Sequence, residues 1–251
     1  MARPPAPDPD PGIAKVASAL LARRPGNGVF IVAITGAVSV GKTTFAAAVE
    51  SHLSRCGSLS VDCVCTDGFL YPNAVLAERR LTMRKGFPES YDTTALLEAL
   101  ASIRTGHAYF PGYSHATYDI DPGLARRVTR PDILIIEGLN LSIASAGAGA
   151  IDALIYLDAD DAVVEDWYAT RFITLWAAAE HDLGSFYVRF RHLSREQAEA
   201  FARSIWRAIN LPNLLQNIAP AREIADIVVT KRPDHRILGL LERRGGVLSC
   251  I

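Results

Sequence analysis

The sequence predicts an α/β fold in which a doubly wound, mostly parallel β-sheet carries helices on both faces. Apolar segments typical of strands alternate with amphipathic segments typical of helices, and no internal repeat or second domain boundary interrupts this alternation. The chain has 251 residues, of which 49% are hydrophobic, and is therefore long enough to bury the core of one such domain. We expect a single domain over residues 13–251.

The predicted strands are short apolar runs bounded by glycine, proline, serine or aspartate. The run PDILIIEGLN at 131–140 is apolar on both faces, which is typical of a strand inside a parallel sheet. The run VFIVAITG at 29–36 leads directly into a loop that contains glycine. We predict strands over residues 29–36, 58–66, 131–140, 153–160 and 225–231.

The predicted helices depend on apolar spacing and on residues that begin or end a helix. Phe45, Val49 and Leu53 recur every four residues and define one helical face. Ser194 and Gln197 have the spacing of a capping box, and Gly106 is a stop signal. We predict helices over residues 13–24, 43–55, 93–106 and 194–210.

Charge and composition limit the class of protein. The net charge of −1 gives no general attraction to nucleic acid or to an anionic membrane. No apolar run approaches the roughly 18 residues that a membrane span needs. Residues 1–12, MARPPAPDPDPG, are rich in proline and predict a disordered tail rather than a signal peptide. We therefore expect a cytoplasmic protein that binds neither nucleic acid nor membrane.

The segment GAVSVGKT matches the phosphate-binding pattern G-x-x-x-x-G-K-T, between a predicted strand and a predicted helix. Backbone N–H groups of such a loop and the helix N-terminus surround the phosphates of a nucleotide. Lys42 reaches the β- and γ-phosphates, and the Thr43 hydroxyl binds Mg²⁺. The sequence therefore predicts binding of ATP and Mg²⁺. The predicted nucleotide-binding residues are Gly36, Ala37, Val38, Ser39, Val40, Gly41, Lys42, Thr43 and Thr44.

Residues outside this P-loop narrow the class of nucleotide-binding protein. The N-K-x-D and D-x-x-G patterns of GTPases are absent from the sequence. Glu137 lies near the carboxyl end of a predicted strand, where an acidic side chain faces Mg²⁺ in sheets of this kind. Alternatively, Glu137 only caps a loop. The favoured class is a small-molecule kinase, with Thr43 and Glu137 as its metal-binding residues.

The segment VDCVCTDGF raises a separate question about Asp67. Cys63 and Cys65 could form a soft-metal site with nearby aspartates, but their alternation is that of one strand face and no second ligand pair follows. Asp67 follows the strand at the same sheet edge as the P-loop, where it could accept a proton from an attacking hydroxyl. An Asx turn would also explain Asp followed by Gly. The position favours a catalytic base.

Six further segments resemble the bacterial type I pantothenate kinases. They are TDGFLYPN (66–73), KGFPESYD (85–92), YSHATYDI (113–120), PDILIIEGLN (131–140), DWYATRF (166–172) and LLQNIAPAREIADIVVTK (214–231). With the P-loop, they follow the family's order from about residue 29 to residue 235. The wider superfamily includes uridine kinase and phosphoribulokinase. The resemblance implies the P-loop kinase fold, homodimers, and phosphorylation of the primary hydroxyl of pantothenate by ATP, the first step towards coenzyme A.

The resemblance also implies roles for individual residues. Asp67 corresponds to the family's base, and Lys42 and Arg171 to residues that contact the transferring phosphates, so these three are the predicted catalytic residues. The predicted substrate-binding residues are Asp67, Tyr113, His115, Tyr168, Arg171 and Asn217. Taken alone, Tyr168 and Arg171 would more often be structural.

Two alternatives to a pantothenate kinase stay open from the sequence. One is a kinase of the same fold that acts on another small alcohol, such as a nucleoside or a sugar. The other is a protein that binds a nucleotide or coenzyme A without catalysis. A binding protein need not keep a base and a metal acid together, so Asp67 and Glu137 argue against it.

Overall fold

The computed structural model describes residues 10–56, 59–141 and 149–251. The strands are β1 (Phe30–Gly36), β2 (Val61–Cys65), β3 (His107–Phe110), β4 (Tyr113–Ser114), β5 (Asp119–Ile120), β6 (Arg126–Thr129), β7 (Ile133–Glu137), β8 (Ala153–Asp158), β9 (Ile227–Lys231), β10 (Ile237–Arg244) and β11 (Val247–Cys250). Seven of them form one sheet in the order β11-β10-β9-β8-β1-β7-β2. Its five central and outer strands β9, β8, β1, β7 and β2 run parallel. The predicted α/β fold is confirmed.

Strand β1 lies at the centre of the parallel part, between β7 and β8, and every residue of β1 and β7 is buried. The pairing places Ile34 and Cys65 beside Glu137, at the carboxyl ends of three neighbouring strands. Because parallel strands end at the same edge, the segments after β1, β2 and β7 open onto one crevice. The sheet thus brings the P-loop, Asp67 and Glu137 together.

The helices are α1 (Pro11–Arg23), α2 (Lys42–Cys56), α3 (Asn73–Glu78), α4 (Thr93–Thr105), α5 (Asp161–Ala178), α6 (Arg195–Ile205) and α7 (Ala221–Ile224). In α2 the predicted face, Phe45, Val49 and Leu53, is buried. The predicted capping box begins α6: the Gln197 backbone N–H donates to the Ser194 hydroxyl at 3.2 Å, and the Ser194 N–H donates to Gln197 Oε1 at 2.9 Å. Local sequence signals therefore placed these helices correctly.

Helix α6 continues beyond Ile205 with a changed pitch. Two π-helical segments, Trp206–Asn210 and Leu214–Ile218, flank the α-helical turn Leu211–Asn213. Pro212 lies in that middle turn and has no backbone N–H to donate, so an unbroken α-helix would lack one bond here. The helix predicted over 194–210 is therefore longer than expected and irregular.

Helices α5 and α6 pack on each other around a small hydrophobic cluster of their own. Its buried members are Ala169, Phe172, Ile173, Ala198 and Ala202, and the aromatic side chains of Tyr168, Trp176, Tyr187, Phe190 and Phe201 pack around them. This cluster is distinct from the main core, which surrounds the sheet. The α5–α6 hairpin is thus a subunit of packing within the domain.

The sequence did not predict the antiparallel strands β10 and β11, which extend the sheet beyond β9. Their burial pattern is mixed, with charged residues such as Glu242 and Arg243 along β10. Such a strand lacks the continuous apolar run that identified the parallel strands. A register shift between Ile237 and Gly239 further weakens the alternation.

The boundary of the predicted tail differs from the structure at residues 10–12. Helix α1 begins at Pro11, and the Asp10 carboxylate accepts from the Gly12 N–H at 2.9 Å as its N-cap. The other carboxylate oxygen accepts from the Ile237 N–H of β10 at 3.0 Å. Residues 10–12 therefore belong to the folded part, because Asp10 followed by Pro11 is a helix start rather than a tail. The rest of the predicted tail lies outside the described residues.

We expect Asp10→Ala to lower the melting temperature by about 3–6 °C, because it removes a helix cap and a contact to β10 that together contribute about 1–2 kcal/mol. Differential scanning calorimetry measures the change. Deletion of residues 1–9 serves as the control and should leave the melting temperature nearly unchanged. Equal melting temperatures for deletions of residues 1–9 and 1–12 would contradict the assigned role of Asp10.

Candidate active site

The loop between β1 and α2 has a backbone suited to an anion. Gly36 and Gly41 have φ values of +147° and +87°, and Ser39 between them has +65°. A Cβ atom at Gly36 would lie 2.5 Å from the carbonyl oxygen of Leu157, so the approach of β8 requires glycine there. Helix α2 begins at Lys42, and the unpaired N–H groups of its first turn face the loop. The predicted nucleotide-binding residues thus form one loop and the first helical turn.

Lys42 lies between this loop and two carboxylates. Its ammonium group donates to the carbonyl oxygens of Gly36 at 3.2 Å and Ala37 at 2.9 Å. Burial lowers the pKa of Lys42, and the carboxylates of Glu137 and Asp67 act in the opposite direction. The predicted catalytic residues Lys42 and Asp67 therefore face the same space.

Thr43 and Glu137, the predicted metal-binding residues, are in direct contact. The Thr43 hydroxyl donates to Glu137 Oε1 at 2.7 Å, and Glu137 is only 4% exposed. A buried carboxylate needs a charged or polar partner, and a hydroxyl and a carboxylate oxygen are ligands that Mg²⁺ prefers. The donor set therefore fits Mg²⁺ held jointly with nucleotide phosphates.

Asp67 lies in a 3₁₀ turn, Thr66–Phe69, directly after β2. Its backbone N–H donates to the Cys65 sulfur at 3.4 Å, but within the described part of the chain no group donates to its carboxylate. The Asx-turn interpretation would require such a local bond. The carboxylate therefore stays available to a ligand, as a base requires.

The two strand cysteines show no sign of metal binding. Burial raises the pKa of Cys63 to about 12 and also raises that of Cys65. A thiol must lose its proton to bind a metal, so this environment opposes ligation. Within residues 10–56, 59–141 and 149–251, no group of three or more metal-binding side chains occurs.

Tyr113 and His115, both predicted to bind substrate, lie together near Asp67. Their rings meet edge to face with centroids 5.2 Å apart. Loss of hydration lowers the pKa of His115, and the Asp67 carboxylate opposes this effect. Burial raises the pKa of Tyr113, which Asp67 raises further. Both side chains are therefore neutral near pH 7 and can form neutral hydrogen bonds with a ligand.

The sequence did not identify Lys85, which lies beside this cluster. Its ammonium group donates at 2.6 Å to Asn73 Oδ1 and to the Tyr118 carbonyl oxygen. It lies 4.4 Å from the Tyr118 ring centroid and 5.1 Å from that of Tyr113. Burial lowers its pKa to about 8, against the effects of Asp119 and Asp67. One of its three donors thus stays available for a ligand.

Tyr168 and Arg171 are on α5, the helix that covers the crevice from the other side. Tyr168 packs against Trp206 with ring centroids 5.8 Å apart, and burial raises its pKa to about 12. Arg171 is exposed, and its charge lowers the pKa values of Lys42 and His115. In the described residues its guanidinium has no salt-bridge partner. Both predicted residues therefore lie in positions suited to a ligand in the crevice.

Asn217 lies on the second π-helical segment and belongs to a chain of amide contacts. Its Nδ2 donates to Asn213 Oδ1 at 2.9 Å, and Asn213 Nδ2 donates to the Gly86 carbonyl oxygen at 2.8 Å. Asn140 Nδ2 donates to that same carbonyl oxygen at 2.7 Å. The structure thus joins Asn217 to the KGFPESYD segment. Its direct contact with a substrate stays a prediction.

A second buried lysine, also missed by the sequence analysis, supports the P-loop. Lys231, at the end of β9, is 8% exposed and donates to the Val40 carbonyl oxygen at 2.9 Å. Beside it, the rings of Trp167 and His235 stack with centroids 4.1 Å apart. A lone lysine at a strand end carries no motif, so only the folded chain reveals this contact.

The described helices include none that is long and apolar enough to cross a membrane. A parallel sheet, a P-loop at its central strand, a buried threonine–glutamate pair and an open carboxylate at the same edge together define a P-loop kinase of small molecules.

Comparison with known proteins agrees with this class. Residues 31–172 match the model of the phosphoribulokinase/uridine kinase family. A pantothenate kinase of Sorangium cellulosum is 46% identical over 239 residues, which are 92% of this chain and 78% of the relative. A pantothenate kinase of Myxococcus xanthus is 46% identical over 221 residues, covering 83% and 70% of the two chains. The chain belongs to the phosphoribulokinase/uridine kinase family and, within it, to the pantothenate kinases.

The fold alone is shared more widely. The solved structure of D-glycerate 3-kinase from Cryptococcus neoformans superimposes with a TM-score of 0.64 at 14% identity, covering 93% of this chain and 99% of that one. At this identity the likeness concerns architecture only. The sequence resemblance to pantothenate kinases is confirmed.

Proposed function

We propose that this protein transfers the γ-phosphoryl group of ATP to the primary hydroxyl of pantothenate, giving 4′-phosphopantothenate in the first step of coenzyme A biosynthesis. One observation carries the mechanism: the Asp67 carboxylate, which accepts no bond from the described residues, opens onto the same sheet edge as the P-loop. The names of the relatives support the choice of acceptor.

Asp67 acts as the base. It accepts the proton of the acceptor hydroxyl while the hydroxyl oxygen bonds to the γ-phosphorus, and the bond from that phosphorus to the β–γ bridging oxygen breaks, which releases ADP. Lys42 and Arg171 stabilise the charge on the phosphoryl oxygens from two sides. The exposure of Arg171 and its charge effect on Lys42 support this assignment.

Thr43 and Glu137 would hold Mg²⁺, which neutralises charge on the β- and γ-phosphates when it is bound. Their contact at 2.7 Å supports the proposal, because both oxygens already point to one place.

The neutral groups around Asp67 suit an acceptor with an amide and hydroxyls. Tyr113, His115, Tyr168 and Asn217 supply neutral donors and acceptors together with aromatic surface. Pantothenate also carries a carboxylate. Lys85 suits this group, because its ammonium has neutral hydrogen-bond partners and one donor left.

We expect Lys85→Met to raise the KM for pantothenate about 10- to 100-fold, the usual contribution of a charge-assisted hydrogen bond. The ammonium loses its proton as the pH rises through about 8. The wild-type KM should therefore rise above that pH, whereas the KM of the variant should be high and independent of pH. Steady-state kinetics between about pH 7 and pH 9 test this.

Arg84→Met is the matched control for Lys85, since it removes the neighbouring charge from a side chain that bonds Glu89 instead. Its KM should stay within about twofold of the wild-type value. A wild-type KM that does not change with pH would contradict the proposed contact.

The proposed activity is tested by measuring ADP release with ATP and a panel of pantothenate, pantetheine, uridine and glycerate. We expect pantothenate to give the highest kcat/KM by a wide margin. Preference for uridine or glycerate would identify another small-alcohol kinase, and ATP binding without ADP release would identify a binding protein.

Homodimer formation is a further part of the proposal and rests on the family resemblance. Light scattering of the purified protein should give about twice the 27.2 kDa mass of one chain. The cytoplasmic location stays a prediction from the sequence.

A further inference from the structure

Three polar side chains with unpaired oxygens line one small cavity next to the segment that carries Asp67. Thr66, Tyr91 and Asn140 are 1%, 8% and 7% exposed. Thr66 Oγ1, Tyr91 Oη and Asn140 Oδ1 are buried and have no hydrogen-bond partner among the described residues. The other residues of the cavity wall are Pro88, Thr93, Leu96 and Leu139.

Buried polar oxygens of this kind are rarely left unpaired in folded proteins, because each unmade bond is costly. The cavity offers about 10 Å³ to the centre of a water molecule, which is roughly the room that one water needs. Two hydroxyls and one amide oxygen also provide the two to four partners that a buried water usually has.

We propose that Thr66, Tyr91 and Asn140 hold one buried water molecule that fixes the segment carrying the catalytic base. The water donates to Asn140 Oδ1, which can only accept, and exchanges hydrogen bonds with the two hydroxyls. Burial, followed by the Asp67 carboxylate, raises the pKa of Tyr91, so its hydroxyl keeps its proton.

The position of each side chain gives this water its consequence. Thr66 directly precedes Asp67, and its hydroxyl stands against Gly138, where a Cβ atom would clash with it. Gly138 follows Glu137. The structure thus packs the segment after β2 directly on the segment after β7, and the water would bridge them a second time.

Asn140 extends the connection towards the acceptor. It has a left-handed backbone, φ +59°, and its Nδ2 donates to the Gly86 carbonyl oxygen, which also accepts from Asn213. Because Asn213 accepts from Asn217, the water would complete a path from Thr66 to Asn217. Thr66, Tyr91 and Asn140 are therefore positioning residues. This conclusion rests on the proposed role of Asp67 as base, whereas the water site itself does not.

A high-resolution crystal structure tests the water directly. We expect a density peak about 2.6–3.2 Å from all three oxygens in the wild-type protein and its loss in the Thr66→Val, Tyr91→Phe double variant. Direct bonds between these side chains, with no peak, would overturn the proposal. This readout does not depend on the acceptor, so it stands even if pantothenate is not the substrate.

A double-mutant cycle tests the shared water in solution. Thr66→Val and Tyr91→Phe should each lower the melting temperature by about 2–4 °C, and the double variant should fall little further, since the first substitution already removes the water. Thr66→Ser keeps the hydroxyl and should retain most of the stability, and Thr93→Val, on the same cavity wall, is the matched control. Additive losses would show that the two hydroxyls do not share a partner.

The same variants test the positioning role with whichever alcohol the protein phosphorylates. Each single variant should lower kcat about 10-fold with the KM for ATP unchanged, and the double variant should also lose about 10-fold rather than about 100-fold. Thr66→Ser should keep kcat within about twofold of wild type. Unchanged kcat in both single variants would refute positioning even if the water is present.

Discussion

Asp67→Asn is expected to lower kcat with pantothenate about 100-fold or more, the scale of general base catalysis, while the affinity for ATP stays near wild type. Asparagine keeps the size of the side chain but cannot take the proton of the attacking hydroxyl. The P-loop contacts of Lys42 to Gly36 and Ala37 do not involve Asp67, so the nucleotide site is retained. Single-turnover rates measure the first effect, and calorimetric titration with a non-hydrolysable ATP analogue measures the second.

Asp62→Asn is the matched control for this experiment. Asp62 lies on the same strand, but its carboxylate pairs with Arg126 at 2.8 Å at the outer edge of the sheet. We expect its kcat to stay within about twofold of wild type, as for an exposed ion pair. Near-wild-type turnover of Asp67→Asn would show that Asp67 is not the proton acceptor.

Lys42→Ala is expected to weaken ATP binding about 10- to 100-fold, the contribution of a lost charge-assisted contact, and to lower kcat by a further large factor. The second loss arises because the ammonium group follows charge that develops on the γ-phosphoryl oxygens. It distinguishes Lys42 from Asp67, whose substitution should leave ATP binding intact. Titration with ATP and single-turnover kinetics separate the two effects.

Lys15→Ala controls for removal of a lysine as such, because Lys15 is exposed on α1 and contacts only the Ile251 carbonyl oxygen in the described residues. Both variants should be compared at equal folded fraction, measured by thermal melting. If Lys42→Ala bound ATP as tightly as Lys15→Ala, the P-loop assignment would need to be abandoned.

The parts that sequence reasoning predicted well are those with a local signal. Strands β1 and β7 are continuous apolar runs, and Ser194 and Gln197 cap a helix within four residues, so neighbours along the chain suffice. Asp67 and Glu137 could be placed together because parallel strands end at one edge of a sheet. Once the strands were identified, the shared crevice followed.

The parts that sequence reasoning missed depend on contacts between distant segments. Lys85 gains its surroundings from residues 33 and 12 positions away, Tyr118 and Asn73, and Lys231 meets Val40 across 191 positions. No periodicity encodes such pairs. Asp10 was assigned to a tail for the same reason, since its bond to Ile237 spans 227 positions. A charged residue without a motif acquires its role only in the folded chain.

The separate cluster of the α5–α6 hairpin divides labour within the domain. Residues that handle phosphate lie on the sheet edge, which is anchored in the main core, whereas Tyr168 and Arg171 lie on a hairpin with its own packing. Substitutions inside that smaller cluster can tilt or reshape the hairpin without disturbing the strands beneath the P-loop. Such an arrangement lets evolution replace the accepted alcohol while the phosphate chemistry is inherited unchanged.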